Sequence, residues 1–147
     1  MSGRAQRAIG LLPDAGVDAL LVTNLVNVRY LTGYTGSNGL ALIGESACTF
    51  VTDFRYVEQA AEEVAPEFDR RRGERDLLAT VEESLPTGPI RLGFEEAHVS
   101  VRGYRRLREL LPDRVELVGA VGLIERLRVR HGLSLRRAGG GGGCTGV

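Results

Sequence analysis

The spacing of apolar residues along the chain switches between two patterns, and each pattern predicts one kind of element. Helical spacing, or a capping residue before a short apolar segment, predicts six helices: 4–12, 25–30, 54–64, 77–85, 101–111 and 123–129. Compact apolar runs predict the strands 18–23, 40–44, 48–52, 90–95 and 115–119, with 68–72 as a candidate edge strand. Strands and helices alternate, with one hairpin interrupting. This order favours an α/β fold, a mixed β-sheet of about six strands with helices on both faces.

Polar and conformationally special residues mark where these elements begin and end. Asn24, Asp53 and Ser100 precede predicted helices, and their side chains accept hydrogen bonds from the free N–H groups of a first helical turn. Pro13 and Gly16 are expected to end or kink the first helix, because proline lacks an amide hydrogen and glycine tolerates a left-handed backbone.

Composition narrows the possible functions. Lys and Arg together number 19, as do Asp and Glu, so the formal charge is zero and favours neither a nucleic-acid nor a membrane partner. The chain contains no lysine, which excludes a Schiff-base or phosphate-loop lysine. Cys48 and Cys144 lie in unlike segments, so no disulfide is expected. No apolar run has the length of a signal peptide or membrane span, and the expected location is the cytoplasm.

Three glycines at regular spacing invite comparison with a nucleotide-binding loop. Gly33, Gly36 and Gly39 follow one another at three-residue intervals. A dinucleotide loop needs a different glycine spacing and a helix directly after it, whereas a predicted strand follows here. The favoured interpretation is a turn that needs positive φ at its glycines.

Two acidic residues and a histidine cluster between a predicted strand and a predicted helix. Glu95, Glu96 and His98 are residue types that bind metal ions. Side chains in so short a loop rarely converge on one ion, and no further histidine or cysteine is close in sequence. A solvated helix entry is therefore favoured over a metal site. The arginine-rich face over 102–108 is likewise expected to be solvated.

Arg55 occupies an unfavourable position for a cation. It follows the capping residue Asp53, where the helix dipole repels positive charge. We therefore expect its guanidinium to lie within hydrogen-bond distance of a carboxylate or of backbone carbonyls, and Asp53 is the nearest candidate in sequence. The partner is expected to be either structural or a bound ligand.

Several motifs in order resemble the amino-terminal domain of the Xaa-Pro aminopeptidase, prolidase and creatinase family. They are DALLVTNLVNVRYLTGYTGSNGLALI, FVTDFRYVEQAAEEV, RLGFEEAHVSVRGYRRL and GLIERLRV, and the resemblance covers about residues 4–130. It implies a mixed sheet with flanking helices that mediates subunit contacts. It also implies a loop that narrows a partner subunit's active site.

The resemblance assigns roles to individual residues by position. The substrate-gating loop would contain Tyr34, Ser37 and Asn38, and the TDxRY motif would supply Arg55, with Asp53 and Tyr56 in structural roles. Family peptidases bind two divalent metals, of manganese or cobalt type, in a separate carboxy-terminal pita-bread domain. None of those ligands is found here, so no catalytic or metal-binding residue is assigned, and the chain alone is expected to show no peptidase activity.

The last residues depart from the family pattern. Residues 1–130 are expected to form the domain, and 131–147 a disordered, glycine-rich tail where a linker to a catalytic domain would begin. A truncated or frameshifted gene, or half of a split enzyme, would explain this. The predicted function is a non-catalytic domain for subunit association and gating, either as a homodimer or with a catalytic domain on another chain. The alternative is a free-standing protein-interaction module with no link to peptidase activity.

Overall fold

A computed structural model of the chain describes residues 3–74 and 76–129. Within them, the helices are α1 (Arg4–Ala15), α2 (Leu25–Thr32), α3 (Val57–Glu63), α4 (Val101–Leu110) and α5 (123–129). The strands are β1 (Ala19–Val22), β2 (Gly39–Gly44), β3 (Cys48–Thr52), β4 (Asp69–Arg72), β5 (Ile90–Glu95) and β6 (Val115–Ala120). The predicted division into a domain and a tail over 131–147 stays a prediction, because the tail lies outside the described residues.

All six strands join one mixed sheet, which confirms the predicted architecture. The strand order is β4-β3-β2-β1-β5-β6. β2 is antiparallel to β1 and β3, and the remaining neighbours are parallel. Five strands therefore end at one edge of the sheet, where β2 begins. We call this the carboxyl edge.

Helices cover both faces because successive side chains of a strand point to opposite sides. In β1, Leu20 and Val22 pack in a core with residues of α1, α2, α3 and α5. Leu21 faces a second core, which contains Leu107 of α4. All four of these side chains are at most 1% exposed.

Two predicted helices differ in the structure. α1 continues through Pro13 to Ala15 and ends at Gly16, whose φ is 75°. The segment predicted as a helix over 77–85 forms two short 3-10 turns, Leu77–Thr80 and Glu82–Ser84. The extended conformation required before Pro86 ends the second turn at Leu85.

The predicted capping residues are confirmed. The side chain of Asn24 accepts a hydrogen bond from the amide of Val26, and Ser100 accepts one from the amide of Gly103. Asp53 caps a single 3-10 turn, Phe54–Tyr56, that precedes α3. All three caps lie at the carboxyl edge of the sheet.

Candidate functional site

The loop before β2 and the segment after β3 meet at the carboxyl edge. The antiparallel register pairs Gly39, the first residue of β2, with Thr52, the last residue of β3. Ser37 and Asn38 therefore lie next to Asp53 and the turn after it. This pairing brings the six residues that the sequence singled out into one cluster, which we call the loop cluster: Tyr34, Ser37, Asn38, Asp53, Arg55 and Tyr56.

Asp53 is the buried centre of the loop cluster, with 0% of its surface exposed. Its Oδ1 accepts hydrogen bonds from the amide of Arg55 at 2.9 Å and from Nε of Arg55 at 3.0 Å. Its Oδ2 accepts from Nη2 of Arg55 at 2.9 Å and from Nδ2 of Asn38. The prediction that a carboxylate holds Arg55 is confirmed, and the same carboxylate also caps the turn.

This environment changes the acidity of Asp53. The side-chain hydrogen bonds from Arg55, followed by the one from Asn38, hold the pKa of Asp53 well below its ordinary value. Burial acts in the opposite direction, because desolvation penalises the charged carboxylate, but it is the smaller effect. Asp53 is therefore ionised at neutral pH and forms a two-pronged ion pair with Arg55.

Arg55 is bound on one side and open on the other. Its side chain is 48% exposed although its partner is buried. The guanidinium carbon lies 5.3 Å from the ring centre of Tyr56, and the hydroxyl of Tyr56 shares a hydrogen bond with Oγ of Ser37. The guanidinium is therefore fixed in orientation while part of it still faces solvent.

Tyr34 lies beneath the loop and not on its surface. It is 1% exposed, and its ring centre is 4.7 Å from that of Phe50. Its hydroxyl donates to the carbonyl of Asn38 at 2.9 Å and lies 3.2 Å from Oγ1 of Thr52. Burial raises the pKa of the Tyr34 phenol. Within the loop cluster, only Ser37 and Arg55 are exposed.

The three regularly spaced glycines serve different purposes. Gly33 has a φ of 89° and ends α2, and a Cβ there would also lie 2.7 Å from the carbonyl oxygen of Glu63. Gly36 and Gly39 do not have positive φ. A Cβ on Gly36 would collide with the hydroxyl of Tyr34, and one on Gly39 would lie 2.8 Å from its ring. The predicted need for positive φ is thus correct for Gly33 and wrong for the other two, which leave room for Tyr34.

Glu63, at the end of α3, anchors the same loop and was not predicted. Its Oε1 accepts from the amide of Thr35 at 2.7 Å, and its Oε2 accepts from the hydroxyl of Thr35 at 2.9 Å. Gln59 also donates to this carboxylate. These hydrogen bonds, led by the one from the Thr35 amide, lower the pKa of Glu63.

Glu95 is the clearest departure from the expected solvated helix entry. It is 8% exposed, and its Oε1 accepts from the amides of Thr23 and Asn24 at 2.7 and 2.8 Å. Its Oε2 accepts from Nδ2 of Asn27 at 2.6 Å. The free amides that precede α2 and a buried amide side chain thus draw Glu95 inward. Asn27, a polar residue inside the apolar run LVNVRYL, was the signal that could have revealed this.

Asn27 joins three elements of the fold. It is 0% exposed, and its Nδ2 also donates to Oε2 of Glu125 at 2.9 Å. Its Oδ1 accepts from Nη1 of Arg128 at 2.9 Å. Because Glu125 and Arg128 belong to α5, one amide connects α2 with β5 and α5.

The described residues, 3–74 and 76–129, contain no group of three or more His, Cys, Asp or Glu side chains arranged to bind a metal ion. Glu96 and His98 are both exposed, while Glu95 turns inward, so the three do not converge. In the same part of the chain, no helix has the length and apolar character needed to cross a membrane.

Comparisons with known proteins agree with this architecture. Residues 4–130 match the model of the creatinase/prolidase N-terminal domain. The uncharacterized peptidase YqhT of Bacillus subtilis (strain 168) is 35% identical over 127 residues, which is 86% of this chain and 35% of that protein. The chain therefore spans about a third of this curated relative.

Two solved structures are also similar. The N-terminal domain of the cytoplasmic peptidase PepQ from Mycobacterium tuberculosis H37Rv has a TM-score of 0.75 and 34% identity, over 87% of this chain and all of that one. The Xaa-Pro dipeptidase from Bacillus anthracis has a TM-score of 0.74 and 31% identity, over 85% of this chain and 35% of that one. With the matched sequence and the shared fold, the chain belongs to the creatinase/prolidase N-terminal domain family.

Proposed function

We propose that this chain is the non-catalytic domain of a Xaa-Pro peptidase-like protein, and that it associates with a second subunit and narrows that subunit's active site. Ser37, Asn38 and Arg55 face the substrate in this proposal, and Tyr34 supports them from below. Asp53 and Tyr56 hold Arg55 in position. The chemistry belongs to a pita-bread domain that binds two divalent metals of manganese or cobalt type.

The observation that carries the proposal is the state of Arg55. Two N–H groups of its guanidinium donate to Asp53, and the other three make no hydrogen bond to the described residues. These three remain available to a carbonyl or carboxylate of a substrate. An arginine held by a buried carboxylate loses little side-chain freedom when it binds, which favours recognition.

The assembly and location are also proposals. We infer a homodimer, or a complex with a catalytic domain on another chain, because relatives such as the B. anthracis dipeptidase are about three times as long as the matched region. We infer a cytoplasmic location, because the structurally similar PepQ is described as a cytoplasmic peptidase.

A chimera tests the gating role. Residues 4–129 of this chain would replace the corresponding domain of the B. anthracis Xaa-Pro dipeptidase, and hydrolysis of Xaa-Pro dipeptides would be measured. Arg55→Gln in the chimera is expected to raise KM by about tenfold or more with a smaller change in kcat, because the lost interaction binds substrate before the chemical step.

The matched control is Arg91→Gln, which removes an exposed arginine, paired with Asp18, at the start of β5 and therefore at the opposite edge of the sheet from the loop cluster. It should leave both constants unchanged. An active chimera whose KM is the same with and without Arg55 contradicts the gating role. Circular dichroism and the thermal midpoint of each variant separate an effect on binding from loss of folding.

The alternative is a free-standing interaction module, and one observation favours it. Four apolar side chains near the carboxyl edge are strongly exposed: Val26 at 54%, Phe54 at 60%, Val101 at 67% and Val121 at 63%. Exposed apolar surface commonly marks protein contacts. Under this alternative, the isolated chain should bind a partner protein that has no peptidase domain, and Arg55→Gln should not affect the chimera.

A further inference from the structure

β4 is an open edge of the sheet. It pairs with β3 on one side, and no strand in the described part of the chain pairs with its other side. All four of its residues, Asp69–Arg72, are exposed. The backbone N–H and C=O groups along the outer side are therefore free to pair with an added strand.

The charge on this edge is positive and only partly neutralised. Arg71 makes an ion pair with Asp69 at 3.2 Å. Within the described residues, Arg70 and Arg72 have no carboxylate at ion-pair distance, and Arg72 lies 5.9 Å from the ring centre of Phe54 instead. Arg70 lies on the same side of the sheet as Phe50, its partner in β3, whose side chain belongs to the core that α3 covers. Alternation places Arg72 on that side too.

A groove runs beside this edge, between β4 and α3. Its volume is about 340 Å³, and its apolar lining comes from Val57, Ala60 and Phe68. Val57 is 41% exposed, and Phe54 next to it is 60% exposed. Among the described residues that line the groove, Asp69 is the only carboxylate, and it already contacts Arg71. The groove thus offers an apolar floor beneath a rim of arginine.

We propose that this surface binds an extended acidic segment of another protein, which adds a strand to the free side of β4. Its acidic side chains lie on the α3 side of the sheet and pair with Arg70 and Arg72 at the rim of the groove. A second copy of the chain fits poorly, because an antiparallel pair of β4 strands centred on Arg70 or on Arg71 would place that arginine opposite its own copy. The arginines that repel an identical edge therefore select an acidic one.

Fluorescence anisotropy with the full chain tests this proposal. The probe is a fluorescein-labelled, C-terminally amidated peptide of sequence EVEIEVE, and the comparison peptide is KVKIKVK. Only the acidic peptide should bind, and its affinity should fall as NaCl rises, since exposed charge pairs are screened within about 10 Å at 0.1 M salt. A version of EVEIEVE with N-methylated amides at alternate residues should bind at least about tenfold more weakly, because it cannot complete the strand ladder.

The double variant Arg70→Glu, Arg72→Glu should weaken binding of EVEIEVE by about tenfold or more. The double variant Arg102→Glu, Arg105→Glu makes the same charge change on the exposed face of α4 and should alter the affinity less than about twofold. Absence of binding, or equal loss in both variants, overturns the proposal. So does a dimer in sedimentation velocity that the β4 variant dissociates, since the edge would then be occupied by a second copy.

Discussion

Asp53 combines, in one carboxylate, two roles that are usually filled by separate residues. It caps the turn that leads into α3, and it fixes the guanidinium of Arg55. The Asp53 carboxylate is buried, whereas the Arg55 side chain is 48% exposed, so the buried partner holds the exposed one in place. The cap and the ion pair therefore depend on the same ionised group.

Asp53 should make the stability of the parent chain depend on pH, and Asp53→Asn should remove that dependence. The pKa of Asp53 is lower in the folded chain than the unfolded value of about 3.9. Its contribution is therefore complete above about pH 4 and is lost as pH falls through the folded-state pKa. Asp53→Asn should unfold at lower urea concentration than the parent at pH 7, and the difference should shrink below pH 4.

Asp69→Asn is the matched control for this titration. Asp69 also pairs with an arginine two residues away, but its side chain is 65% exposed. Exposed pairs contribute little, so this variant should stay within about 0.5 kcal/mol of the parent. An Asp53→Asn difference that is constant from pH 7 to pH 2 would show that the cap geometry, and not the charge, matters.

Gly36 and Gly10 should respond oppositely to the same substitution. A Cβ on Gly36 collides with the hydroxyl of the buried Tyr34, whereas a Cβ on Gly10 meets nothing within 4 Å. Gly36→Ala should destabilise the chain by about 1–3 kcal/mol through overpacking. Gly10→Ala lies in the exposed middle of α1 and should stabilise it by about 0.5–1 kcal/mol. Urea denaturation measures both, and a neutral Gly36→Ala would mean that Tyr34 can move.

Polar contacts connect α2 with β5 and with α5. The first turn of α2 receives Glu95, its buried Asn27 binds both Glu125 and Arg128 of α5, and Gly33 ends it where the loop cluster begins. The hydroxyl of Tyr30 adds a hydrogen bond to the carbonyl of Leu127. These hydrogen bonds to α2 therefore help to fix α5, whose apolar side chains pack in the core beside β1.

Asn27→Ala should loosen α5 more than the rest of the fold. The substitution removes the hydrogen bonds that Nδ2 of Asn27 donates to Glu95 and to Glu125. Loss of such a donor in a buried or partly buried place costs about 1–3 kcal/mol. Hydrogen exchange should show faster exchange of the α5 amides before global unfolding. The control is Val26→Ala in the same helix, at a 54% exposed position, which should change stability by less than about 0.5 kcal/mol. Uniform acceleration across all elements would contradict a local role.

Over the whole molecule, the strands of the sheet could be predicted from local sequence, whereas the hydrogen bonds among buried polar residues could not. The strand 90–95 begins and ends where its apolar run does, and the hairpin of β2 and β3 follows from two runs joined by a turn. The burial of Glu95 depends on amides about 70 residues away in sequence, which no local pattern contains. The space around Tyr34 depends in the same way on packing against Phe50.

The two polar centres of the molecule differ in how far apart their partners lie along the chain. Side-chain hydrogen bonds in the loop cluster join residues 2 to 19 positions apart. The bonds of Asn27 span 68, 98 and 101 positions. During synthesis from the amino terminus, the loop cluster has all its partners once residue 56 has emerged from the ribosome. Asn27 gains its first long-range partner only when Glu95 has been made and its last only with α5, so its side-chain amide has to stay hydrated through most of the translation of the domain.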